Sequence, residues 1–142
     1  MASLAIISLA PFTGHASAPA GRYAVSTDTV YDTATRLTWQ RAVSSTTRSW
    51  ADSKSYCASL SLAGFSSGWR LPTVSELETL VDRTTYNPAI DSTAFPGTQS
   101  EHFWSSSSTD AAGGGDAWQV YFYGGGSDWH SQSNYYFARC VR

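Results

Sequence analysis

Short runs of alternating apolar and polar residues flank two stretches with helical periodicity. The order of these patterns organises the whole chain. Near the start, "GRYAVSTDTVYDTATRLTWQR" carries its apolar residues at Tyr23, Val25, Val30, Leu37 and Trp39, which predicts two or three strands. The polar "DTAT", Asp32 to Thr35, supplies a turn between two of them. In "SWADSKSYCASLSLAG" the period changes: Trp50, Ser53, Cys57 and Leu60 recur three or four apart, so a helix turns Cys57 inward. Ser49 is the expected N-cap with Asp52 at N3 in capping-box spacing, and Gly64 is the expected stop. A second helix follows in "GWRLPTVSELETLVDRT". Thr73 and Glu76 form its T-x-x-E box, Pro72 blocks backward extension, and Val74, Leu77, Leu80 and Val81 make its apolar face. Trp69 and Leu71 anchor the loop that enters it.

"NPAIDSTAFPGTQSEH" has neither period and reads as a long irregular link. Alternation then returns in "FWSSSS", "AWQVYFY" and "NYYFARCVR", three strand candidates separated by turns at the glycine clusters Gly113 to Gly115 and Gly124 to Gly126. In "AWQVYFY", Tyr121 and Tyr123 share one face, while Val120, Phe122 and, by parity, Trp118 share the core face. The order is therefore strands, two helices, a long link and a final antiparallel meander. This is an α+β fold with no fixed-period repeat, and at 142 residues it is one domain with room for a real core.

Composition narrows the function. The formal net charge is -2 and Lys54 is the single lysine, which gives no electrostatic basis for binding nucleic acid or an anionic membrane. Six Trp, eight Tyr and six Phe exceed what one small core needs, so some rings are expected on binding surfaces. The first 20 residues differ from the rest. Leu4 to Ala10 is an apolar run too short to span a bilayer, and small residues at 16–20 follow it in a cleavage-like pattern, although no Lys or Arg precedes the run. Residues 1–20 are read either as a secretory signal or as an apolar segment that packs on its own domain or on a neighbouring subunit. The domain proper is residues 21–142. Cys57 and Cys140 are open to two readings: one disulfide in an exported chain, closing a loop of roughly 80 residues and contributing on the order of 4 kcal/mol, or two buried free thiols in a cytosolic one.

The ordered set "RLTWQR", "SWADSKSYCASLSLAG", "GWRLPTVSELETLVD", "NPAIDSTAFPG", "FWSSSS", "AWQVYFYGG" and "YFARCVR" resembles the Lcl C-terminal-domain family across roughly residues 22 to 142. This is a secreted bacterial module named for the tip of a collagen-like adhesin. The resemblance implies a C-type-lectin-like fold, with two helices flanking twisted antiparallel sheets, long loops and adjacent termini. It also implies pairing of Cys57 with Cys140. For the adhesin it implies trimeric adhesion to sulfated polysaccharide. This chain has no Gly-x-y tract to enforce a trimer, and it lacks the clustered Lys and Arg that a polyanion needs.

Motifs for catalysis are missing from the sequence. There is no His-x-x-x-His or Cys-x-x-Cys pair, no Gly-x-Ser-x-Gly elbow and no phosphate loop. The reading is a non-enzymatic domain with no cofactor and no metal. Asp110, Asp116 and Asp128 lie in the late loop region, where a calcium ion would need them to converge, and their default role is solvated loop charge. The best binding candidate is the loop-rich stretch from Ser105 to Tyr136, above all its late, glycine-punctuated loops in "YFYGGGSDWHSQSNYY". Tyr123, Asp128, Trp129, His130, Gln132, Asn134 and Tyr135 there combine flat rings with amide and carboxylate groups suited to a sugar or a protein surface. The expected function is secreted or cell-surface recognition and adhesion, with a glycan or protein ligand, no nucleic acid and no membrane span. The alternative is a structural subunit of an extracellular fibre or surface assembly, self-associating through its N-terminal segment.

Overall fold

The computed structural model describes residues 18–109 and 114–142. The apolar run at 4–10, His15, Asp110 and Gly113 lie outside the described residues. Two helices and two three-stranded antiparallel sheets make the fold α+β. The first sheet is β1 (Tyr23–Val25), β2 (Thr29–Asp32) and β3 (Leu37–Gln40), in that order across the sheet. Its second turn follows Asp32, which accepts from the Ala34 N–H and pairs with Arg22, and Arg36 takes a left-handed φ of 62° to complete it.

Helix α1 (Trp50–Ala58) and helix α2 (Val74–Glu78) follow. Thr73 and Glu76 form a complete capping box, with the Glu76 carboxylate accepting from the Thr73 N–H at 2.8 Å. At α1 the box is half made. Asp52 is one methylene shorter than Glu76, and it accepts from the Ser49 hydroxyl at 2.8 Å instead of reaching back to the Ser49 N–H. The expected stop at Gly64 is corrected: α1 ends at Ala58, and Gly64 serves the tight turn between Leu62 and Phe65 with φ of 81°.

The second sheet is β4 (His102–Thr109), β5 (Asp116–Tyr121) and β6 (Gly126–Ser131). Its third strand corrects the sequence reading. "GSDWHS", read as loop, pairs residue for residue with β5 from Asp116↔Ser131 to Tyr121↔Gly126. The last nine residues, expected as a strand, instead make isolated bridges: Tyr136 to Arg48, Phe137 to Phe103, and Val141 to both Trp39 and Arg70. β4 slips against β5 between Trp104 and Ser108, and the bulged serines tie both helices to the sheet. The Ser105 carbonyl accepts from the Trp50 indole at 2.7 Å, and the Ser107 hydroxyl accepts from the Val74 N–H at the start of α2.

The second sheet divides the core. Phe103 and Val120 face a cluster with Val30, Trp39, Leu77, Leu80, Ile90, Phe95, Phe122 and Val141. Trp104 and Ala117, on the opposite face, join Trp69, Leu71, Ala138 and the Cys57–Cys140 disulfide, which is fully buried. Trp118 departs from its expected core placement. It is half-buried opposite the exposed Trp129, because the covered part of that face runs out toward β6. Arg139 is buried without a carboxylate among its hydrogen-bond partners. It donates to the carbonyls of Gln40 and Arg41 and to the Thr98 hydroxyl, with burial pushing its guanidinium down to about 9.

Candidate functional site

Strand alternation places His102 on β4, Gln119 and Tyr121 on β5, and Asp128 and His130 on β6 on one face of the second sheet, beyond the packed Trp104 and Ala117. With Gly126 and Ser127 they line an open cleft of about 200 Å³. Tyr136, held opposite Arg48, lies against both imidazoles. Its hydroxyl is 2.7 Å from His130 Nδ1 and accepts from the Asn134 amide at 3.0 Å, and its ring stacks on His102 at 4.7 Å. His102 is fixed from its other side by Gln119, whose Oε1 is 2.9 Å from Nδ1. Gln119 is buried, so its amide is a rigid support.

The rings continue as a ladder out of the core. Trp104 meets Tyr136 at 4.7 Å, Tyr136 meets His102, His102 stacks on Tyr121 at 4.2 Å, and Tyr121 stacks on Tyr123 at 5.8 Å. Tyr86 then contacts Tyr123 edge-on at 6.4 Å. Trp104 at the inner end is fully buried, whereas Tyr123 and Tyr86 are 45% and 74% exposed. The outer end is anchored by backbone pairing, because the Asn87 N–H donates to the Tyr123 carbonyl at 2.8 Å and the Ala89 N–H to the Phe122 carbonyl. A fixed pair of exposed rings beside a polar cleft can stack a flat ligand face and hydrogen-bond its edge.

The structure sorts the predicted binding residues. Asp128 and His130 line the cleft, Tyr123 extends it, and Asn134 steadies Tyr136. Trp129 falls on the opposite face of β6, and Tyr135 is exposed away from the ladder contacts. Gln132 is a structural residue: its amide donates to the Asp116 carbonyl, and its own carbonyl accepts from the Trp50 N–H. Reading the stretch as loop concealed this sorting. His102, Gln119, Tyr121 and Tyr136, which the structure brings to the cleft, were not among the predicted residues. The shared parity of Tyr121 and Tyr123 was a visible signal, but the β4–β5 register that adds His102 was not. Asp116 and Asp128 stand on opposite faces of the sheet, so those two of the proposed calcium carboxylates do not converge. Among the described residues no group of three His, Cys, Asp or Glu side chains is placed to hold a metal ion.

A larger cleft of about 370 Å³ opens near Ala18 and Arg22. Of the two arginines that line it, Arg22 and Arg83, Arg22 is committed to Asp32 at 2.9 Å and to the Thr79 carbonyl at 2.6 Å. The cleft on the second sheet differs in being lined by two imidazoles, a tyrosine, an amide and one carboxylate, Asp128, with no lysine or arginine. Comparison with curated proteins finds no match. A family model, the Lcl C-terminal domain, matches residues 28–142, a span that includes every residue lining the cleft, and the chain belongs to that family.

Proposed function

We propose that this chain is an extracellular recognition domain, without catalytic activity of its own, that binds a glycan through the cleft on its second sheet. The aromatic ladder carries the reading. Rings packed from the buried Trp104 outward present Tyr123 and Tyr86 to solvent at the edge of a cleft that holds Asp128 and two imidazoles. Such rings lose little conformational entropy on binding, because stacking already fixes them. Location outside the cell is supported by the disulfide, which persists under oxidising conditions, and no helix among the described residues is long and apolar enough to cross a membrane. A C-type-lectin-like arrangement fits the two helices packed on antiparallel sheets, with the C-terminal residues laid beside β3.

The test is a glycan array probed with wild type, Tyr123→Ala, Asp128→Asn and Trp129→Ala. Tyr123→Ala and Asp128→Asn are expected to lose most of the signal, and Trp129→Ala, on the opposite face, to keep it. Binding that survives the first two substitutions and disappears with the third would move the site to the other face.

A further inference from the structure

We propose that the cleft, taken as the glycan site argued above, selects sugars carrying a free amino group over sulfated, carboxylated or N-acylated ones. The first ground is the sign of its charge. Asp128 is the one carboxylate lining it, and no lysine or arginine lines it. An anionic sugar would enter against this carboxylate with no lysine or arginine to offset it.

The second ground is the inventory of free hydrogen-bonding atoms. Asp128 Oδ1 accepts from the Trp129 N–H at 2.8 Å, which orients the carboxylate and leaves Oδ2 on an exposed side chain. His102 Nδ1 faces the Gln119 carbonyl oxygen, which can only accept, so in the neutral ring Nδ1 carries the hydrogen and Nε2 is an acceptor. Asp128 Oδ2 and His102 Nε2 are thus two acceptors on residues that line the cleft. A primary ammonium supplies three donors and no acceptor. An N-acyl group supplies one donor and brings a carbonyl against the same two acceptors.

Calorimetric titration with glucosamine oligosaccharides, their N-acetylated counterparts and heparin at low salt tests this. The amino oligosaccharide is expected to bind at least about tenfold more tightly than the N-acetylated one, the worth of a charge-assisted hydrogen bond. Heparin is expected not to bind. Asp128→Asn should bring the two oligosaccharides close to equal affinity, with near-UV circular dichroism confirming an unchanged fold. Equal binding of both oligosaccharides by the wild type, preferential binding of heparin, or a preference that survives Asp128→Asn overturns the amine selectivity while recognition stands. Absence of binding to these ligands and to every glycan on the array overturns the recognition reading and the selectivity with it.

Discussion

Gly125 shows how much a single backbone position can carry in this fold. It sits in the turn joining β5 to β6 with φ of 77°, and its N–H donates to the Tyr121 carbonyl at 2.8 Å. A Cβ added there would overlap Val81 Cγ1 and touch the Ala89 Cβ, both fixed by packing. Left-handed strain and overpacking therefore coincide, and Gly125→Ala is expected to cost about 2–4 kcal/mol. Urea denaturation measures it, and a loss below about 1 kcal/mol would mean that Val81 yields easily. The sequence marks the cluster Gly124 to Gly126 as a turn, but the indispensable glycine is chosen by Val81, which is distant in the chain. The same limit applies to Tyr135 and Tyr136. Outside a regular strand, alternation does not decide which of two adjacent tyrosines faces the cleft, and here it is Tyr136.

At the scale of elements, local signals were readable where they act locally. Thr73 and Glu76 announce α2, and the structure has the complete box. The end of α1 was misread, because the Leu60 side chain continues the inward stripe after the helix has stopped. β6 was unreadable, since an edge strand with nearly every residue exposed carries no apolar alternation, and its pairing with β5 is what defines it. The capping box has a consequence in acid. Its hydrogen bond with Arg70 is the main effect holding the Glu76 carboxyl below its usual range, helped by the Thr73 N–H. For Asp32, burial pushes up, but hydrogen bonds from Arg22 and the Ala34 N–H outweigh it and the carboxyl is lowered. Unfolded, these groups titrate near about 4.3 and 3.9. A carboxyl depressed in the folded state contributes stability that is full above its unfolded value and is lost as pH falls through the folded one. The urea midpoint should therefore hold from pH 7 to about 5 and fall below that, with Glu76→Gln making the fall shallower. The Arg70–Glu76 pair is partly exposed, so salt should reduce its share. A midpoint that fell equally in the variant would assign the acid loss to other groups.

Across the whole molecule, the C-terminal residues hold the two sheets and the first helix in one arrangement. Arg142 exchanges both backbone hydrogen bonds with Thr38, and Val141 does so with Arg70. The Cys140 carbonyl accepts from the Gln40 N–H, and Cys140 Sγ is bonded to Cys57 of α1. The inward direction of Cys57 was legible from the helical period, two cysteines in an exported chain pointed to one disulfide with buried free thiols as the alternative, and the family resemblance implied the same pairing. The bond spans 83 positions. Cross-linking a loop of that size removes denatured-state entropy worth about 4 kcal/mol. The Cys57→Ala, Cys140→Ala double variant is expected to lose about that much, and for a domain of this size its melting midpoint should fall by about 15 °C. Paired removal avoids leaving one free thiol, and both positions are fully buried, so alanine adds no polar group to the core. The double variant also tests how rigid the recognition face must be. Trp104, which roots the aromatic ladder, packs in the same cluster as the disulfide. Loosening that cluster should weaken glycan binding at temperatures well below the new midpoint, before the domain unfolds. Unchanged affinity there would show that the ladder is held by the second sheet alone.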